Sequence, residues 1–166
     1  MTYSQEESRD DACFVSPPIV TQVTDFCQQL TNHLSPTALP QVSPAALAYL
    51  GDTVYELYIR TAYLLPPKRL HQYHQAVVSQ VRAEAQALHL QALQPYLTPP
   101  ELDILRRGRN AASGGPRRLD PELYQQATSL ETLLGYLYLH DPQRLLALLQ
   151  HLPLADATAD LSGKMT

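Results

Sequence analysis

Two carboxylates stand where a carboxylate is expensive. Asp52 lies inside the apolar stretch ALAYLGDTVYELYIR, residues 46–60, and Glu131 inside TSLETLLGYLYL, residues 128–139. An unpaired carboxylate on an apolar helix face is strongly disfavoured unless it is hydrogen-bonded, paired or bound to a metal. At helical spacing the neighbours of Asp52 are Ala48, Tyr49, Tyr55 and Glu56, and none is a cation. Glu56, one turn on, repels Asp52 and can itself be relieved by Arg60 a further turn along. Each acid also has a glycine close by: Gly51 precedes Asp52, and Gly135 follows Glu131 by one turn. Glycine costs a helix interior about 1 kcal/mol relative to alanine, but it lets two helices approach closely. If the two helices cross at these glycines, the acids converge. Two converging carboxylates in a low-dielectric site suit a hard divalent cation such as Mg²⁺, which is often held by one or two carboxylates plus substrate phosphates. That chemistry is phosphodiester hydrolysis, in which the metal generates the nucleophile and stabilises charge on phosphorus. The residues alone leave a second reading equally open, in which each acid bonds to nearby backbone or to a tyrosine hydroxyl.

The elements that must position these acids are helices. Cap-plus-proline starts recur at Ser43-Pro44, Thr98-Pro99, Asp120-Pro121 and Asp141-Pro142. They predict helices from Pro44 to about Leu65, from Thr98 through Ala111, over 121–139 and over 143–152. Residues 69–94 have long-helix composition, with a break expected near Val77. A short helix is expected over 19–34, after a polar segment 1–18. No strand alternation or internal repeat is visible, so the fold class is all-α. His140-Asp141 reads as a helix cap, and the exposed-type pair His71 and His74 lacks a third ligand.

The chain has 166 residues, enough for one domain with a real core. Its two cysteines, Cys13 and Cys27, make neither a disulfide framework nor a zinc site, which fits a reducing cytoplasm. No apolar run is long enough to cross a membrane, and the polar, acidic N-terminus is unlike a signal peptide. The net charge of −4 hides an asymmetry. Residues 1–59 carry net −6, residues 60–118 net +6 and residues 119–166 net −4. The middle segment can therefore face a polyanion although the whole chain is acidic.

The stretch ALAYLGDTVYELYIR resembles the signature helix of the ribonuclease III catalytic domain, whose Leu-Gly-Asp step carries a metal-ligand aspartate. LETLLGYLYL resembles that domain's second acidic motif. LRRGRNAASGG, residues 105–115, resembles one branch of the family, Mini-ribonuclease III. The three motifs stand in the family's order over residues 43–150. This resemblance implies the ribonuclease III endonuclease-domain helical fold, with residues 1–35 an N-terminal extension, 36–152 the catalytic domain and 153–166 a flexible tail. It implies an Mg²⁺-dependent endoribonuclease that cleaves double-stranded RNA as a homodimer. The implied substrate is the precursor of large-subunit (23S) ribosomal RNA, with room for a ribosomal-protein partner. Asp52 and Glu131 would be the catalytic metal ligands, with Glu56 and Thr128 as outer-shell candidates. The family's further acids fall at Ala45, Ala48 and Thr128, and no double-stranded RNA-binding domain follows. Both departures fit the Mini branch. The first also keeps a rival open: a non-catalytic RNA-binding or ribosome-assembly module on the same fold.

Without an appended binding domain, the catalytic body must hold the duplex. Arg106, Arg107, Arg109, Arg117 and Arg118 are five of twelve basic residues within thirteen positions. Guanidinium forks match phosphate oxygens, and A-form RNA is read mainly through phosphates and 2′-hydroxyls. These arginines, with Asn110 and Arg82, are the candidate RNA-binding residues. Gly114-Gly115 would allow close approach to the backbone.

Overall fold

A computed structural model describes residues 29, 38–112 and 120–154 of the chain. The expectations for the N-terminal segment and its helix over 19–34, for Gly114, Gly115, Arg117 and Arg118, and for the end of the tail lie outside the described residues. Among those described, the fold is all-α, as expected, with no strand. Six α-helices follow one another: α1 Pro44–Ala62, α2 Leu70–Val81, α3 Ala83–Leu93, α4 Pro99–Ala111, α5 Pro121–His140 and α6 Pro142–Leu149. Short 3₁₀ turns at Leu39–Gln41 and Gln94–Tyr96 precede α1 and α4.

The caps act as the sequence requires. Ser43 Oγ accepts from the Ala46 amide at 3.1 Å. Asp120 Oδ1 accepts from the Glu122 amide at 2.8 Å, and Asp141 Oδ1 from the Arg144 amide at 2.9 Å. Each satisfies an N–H that a helix start leaves without an intrahelical partner. Helix α4 opens with the Thr98 amide donating to Glu101 Oε2 at 2.8 Å. Glu101 is nearly buried and is gripped on both oxygens by Arg144, at 2.7 and 3.0 Å, so the start of α4 is tied to α6. That paired guanidinium holds the Glu101 carboxyl below the usual range.

Two boundaries differ from expectation. Helix α1 stops at Ala62 rather than Leu65, with the Tyr63 amide still bonded to the Ile59 carbonyl at 3.1 Å. The long helix over 69–94 breaks at Arg82, not near Val77, which is buried inside α2. Arg82 is extended, with φ −69° and ψ 153°. The carbonyls released at the end of α2 are captured by side chains. Tyr55 Oη donates to the Gln80 carbonyl at 2.7 Å, and Gln86 Nε2 donates to the Val81 carbonyl at 3.2 Å. No proline or glycine marks this bend.

Helix α5 is the axis of the molecule, packing against α1, α3, α4 and α6. Its Leu130, Leu133, Leu134 and Leu137 are buried, against Tyr55 and Ile59 of α1, Leu93 of α3, Ile104 of α4 and Leu148 of α6. The tightest contact is the crossing of α1 with α5. A methyl placed on Gly51 would overlap the Glu131 carbonyl oxygen and stand 2.7 Å from the Gly135 nitrogen. A methyl on Gly135 would overlap the Leu47 carbonyl oxygen and stand 3.1 Å from the Gly51 nitrogen. The helices touch backbone to backbone, and Gly51 and Gly135 face each other across the contact.

Helix propensity alone would make Gly135→Ala stabilising by about 1 kcal/mol. The crossing reverses the sign, because the obstructing atoms are backbone and cannot turn aside. Gly135→Ala is expected to lower stability by about 2 kcal/mol or more in urea denaturation. A neutral or stabilising result would show that the helices do not meet this closely.

Candidate active site

Helices α1 and α5 diverge from the glycine crossing, and the space beside it is a cavity of about 490 Å³. Asp52 and Glu131 both line it. The convergence expected from the two glycines is therefore present. The remaining wall comes from the α2–α3 junction, through Val81, Ala83 and Gln86, and from the end of α4, through Ala111 and Ala112. Ala45, Ala48 and Thr128, where the resemblance places further acids, are wall residues of the same cavity. Their small side chains leave it open.

The two acids differ in setting. Asp52 is exposed at the cavity mouth and makes no hydrogen bond or ion pair among the described residues. Partial burial raises its carboxyl above the usual range, and the Glu56 charge one turn away adds to this. Glu131 lies deeper. Burial pushes it up to about 7; hydrogen bonding from the Gln86 side chain opposes that shift, and the Asp52 charge reinforces it. The reading in which each acid is satisfied by local backbone or a tyrosine hydroxyl finds no support at Asp52.

The other predicted residues are distributed around this centre. Thr128 lies in the wall, nearly buried. Glu56 does not line the cavity; it is paired with Arg60 at 2.6 Å and reaches Asp52 through its charge. Arg106 is paired with Asp103 at 2.9 Å. Arg109 donates to Gln125 at 3.3 Å and stands 3.8 Å from Glu122. Both arginines line a second, smaller hollow of about 330 Å³ between α3, α4 and α5. Arg107 and Asn110 are exposed and without a partner among the described residues. Arg82 is exposed at the α2–α3 bend, donating to the Val78 carbonyl at 3.3 Å, between wall residues Val81 and Ala83. The segment that carries Arg117 and Arg118 leaves α4 at Ala112, on the cavity wall, and rejoins at the α5 cap Asp120.

Sequence reasoning missed Gln86, Tyr55 and His89. Tyr55 is fully buried, and its hydroxyl touches His89 Nδ1 at 2.6 Å while donating to the Gln80 carbonyl. One hydroxyl proton cannot serve both partners, so His89 donates from Nδ1. Burial lowers the His89 pKa. This buried pair fastens α1 to the α2–α3 junction and so fixes the Gln86 side of the cavity. In AEAQALHLQAL nothing but the scarcity of polar residues hints that Gln86 and His89 face inward.

Residues 45–142 match the family model described as Ribonuclease III domain. A Mini-ribonuclease 3 from Synechococcus sp. is 63% identical over 125 residues, covering 75% of this chain and 91% of the relative. The Mini-ribonuclease 3 from Synechocystis sp. is 55% identical over 140 residues, covering 83% and 98%. A crystal structure of a protein from Fusobacterium nucleatum superposes with a TM-score of 0.60 at 28% identity, over 66% of this chain and 89% of that one.

A buried acid raised from 4.5 to about 7 favours folding below pH 4.5, and that contribution is lost as pH rises through 7. Removing the charge removes the loss. In chelator-containing buffer, Glu131→Gln is expected to match the wild type near pH 5 and to exceed its stability by roughly 1–2 kcal/mol near pH 8. Equal stability at both pH values would mean that Glu131 is not desolvated.

Proposed function

The chain belongs to the ribonuclease III family, in the branch whose members are named Mini-ribonuclease 3, and on that premise we propose that it is an Mg²⁺-dependent endoribonuclease that cuts double-stranded RNA and matures the ends of precursor 23S ribosomal RNA. The observation that carries this reading is the glycine crossing that places Asp52 and Glu131 in one cavity. The two acids flank a backbone-to-backbone helix contact, and neither is ion-paired among the described residues.

The residues present fit a hard divalent cation. The acids offer oxygen donors only, and no group of three His, Cys, Asp or Glu among the described residues would draw a softer metal. Two carboxylates are a sufficient protein contribution when waters and a substrate phosphate complete the set. Asp52 and Glu131 would hold the cation, which supplies Lewis acidity to the scissile phosphate and to the attacking water. Glu131 must give up its proton for the cation to be held, so binding strengthens as pH rises through about 7. Thr128 borders the acids within the wall, and Glu56 tunes Asp52 by charge. The exposed Arg107 and Asn110, with Arg82, Arg106, Arg109, Arg117 and Arg118, hold duplex phosphates. Cleavage leaves 5′-phosphate and 3′-hydroxyl ends.

The catalytic unit is a homodimer with two sites, one per RNA strand. Tyr49 and Leu57 of α1 support this, being 83% and 59% exposed on the helix that carries Asp52. The enzyme acts in the cytoplasm, with a ribosomal protein as partner on the precursor. No helix among the described residues is long and apolar enough to cross a membrane.

The test is cleavage of a labelled RNA duplex in Mg²⁺ and in chelator, beside Asp52→Asn and Glu131→Gln. Cutting is expected only with Mg²⁺, and either variant is expected to slow it by at least about 100-fold. Duplex binding without Mg²⁺-dependent turnover, unchanged in both variants, would overturn the proposal in favour of a non-catalytic assembly module. The arginines are tested separately. Arg107→Ala is expected to weaken duplex binding with little dependence on sequence, and to lower the salt slope by about one for each phosphate no longer neutralised. An unchanged slope would remove Arg107 from the RNA-binding surface.

A further inference from the structure

Gln86 is the most anomalous polar side chain in the described structure. It is 3% exposed, yet it lines the cavity that holds Asp52 and Glu131. Its Nε2 donates to the Val81 carbonyl at 3.2 Å, and the side chain stands near enough to Glu131 to oppose the rise of that carboxyl's pKa. Its Oε1 is buried with no hydrogen-bond partner, and it is the single such side-chain atom found among the described residues. Buried polar atoms are nearly always satisfied, and an exception asks for an unrecorded water, ion or functional role. The amide cannot resolve this by turning over. Its nitrogen already donates to the Val81 carbonyl, and an oxygen placed there would be repelled by it.

A leucine or methionine would fill the same space without an unpaired oxygen, at the loss of the hydrogen bond to the Val81 carbonyl. The position is fixed with some care: Tyr55 and Gln86 each capture one carbonyl released at the α2–α3 bend, which sets Gln86 at the head of α3 facing the acids. The donor set at this point is two carboxylates and one amide, all hard oxygens. The cavity wall elsewhere is largely alanine and aliphatic. What the unpaired oxygen lacks is positive charge or a donor, and a hydrated divalent cation between the acids would bring both.

We infer that Gln86 belongs to the cation site: it lines the cavity beside Glu131, and its side-chain oxygen becomes the third protein oxygen that holds the hydrated divalent cation. The inference rests on the proposed cation site at Asp52 and Glu131. It adds a neutral oxygen to a site short of acids. A neutral donor strengthens binding without adding to the repulsion already felt by the two carboxylates. Partners that orient a metal's ligands typically affect metal affinity by about 10- to 100-fold.

The experiment is Mn²⁺ binding to the full chain without RNA, read from the free-ion electron paramagnetic resonance signal. It is made on the wild type, Asp52→Asn, Gln86→Met and Gln86→Glu, with thermal unfolding recorded for each with and without Mn²⁺. Gln86→Met keeps the length of the side chain and removes its polar atoms. It is expected to remain folded and to bind Mn²⁺ about 10- to 100-fold more weakly. Gln86→Glu places a third carboxylate at the site. Its melting temperature without Mn²⁺ is expected to fall, and the rise on adding Mn²⁺ to exceed that of the wild type. A residue that only packed the wall would not make stability depend on the cation in this way. Wild-type affinity in a folded Gln86→Met, or no larger Mn²⁺ response in Gln86→Glu, would overturn the inference while the loss of binding in Asp52→Asn left the two-acid site standing. Binding that is absent in the wild type, or indifferent to Asp52→Asn, would overturn both.

Discussion

The contact between Gly51 and Gly135 is the constraint from which the rest of this structure follows. Two helices with ordinary side chains at the interface pack with axes about 8–10 Å apart. Here there is no side chain at the closest point, and each glycine faces backbone of the opposite helix. A residue beside such a crossing on one helix is brought close to a residue beside it on the other. Asp52 follows Gly51 directly, and Glu131 lies one turn before Gly135. The acids share a cavity because the backbones touch beside them. The glycines also explain why helix propensity is a poor guide at these positions: the local loss is offset by leucine packing along the whole length of α5.

The same geometry sets the electrostatics. Burial raises both acids; the Asp52 charge adds to the rise at Glu131, and the Glu56 charge to that at Asp52. A site tuned for stability would have placed a lysine or arginine within reach. None of the eight described lysines and arginines is paired with either acid. Elsewhere the chain does compensate its buried charge: Glu101, as buried as any charged group here, is held bidentate by Arg144 and by the Thr98 amide. The contrast within one molecule is the one the proposed cation would account for, whereas Glu101 fastens the helix ends.

Much of this was legible in the residues. The cap-and-proline starts located four helices, because a side-chain acceptor followed by a residue without an N–H answers a local need that tertiary packing does not change. The acid-and-glycine pairs located the crossing, because both residue types are costly on an apolar helix and coincided in two places. The bend at Arg82 was not legible. It depends on Tyr55, distant in sequence, and Gln86 taking carbonyls that α2 would otherwise use, and the local sequence through VVSQVRAEAQ is helical on either side. The direction in which Gln86 and His89 face was hidden for the same reason. A polar residue in an alanine-rich helix reads as solvent-facing until a partner from another helix is known.

The charge distribution along the chain completes the argument about how a duplex would meet the site. The protein is acidic overall, and at a distance it repels a polyanion. Residues 60–118, net +6, include the wall residues contributed by the α2–α3 junction and by the end of α4. Residues 46–58 and 128–139 carry the acids on the opposite wall and are themselves without a cation. No lysine or arginine lines the cavity among the described residues, and Arg82, exposed between the wall residues Val81 and Ala83, is the basic side chain set at its edge. On the proposed function, the carboxylates would exclude a phosphate backbone unless a divalent cation stood between them. The proposed cation would then serve admission as well as chemistry: the same charge would let a phosphate reach Asp52 and Glu131.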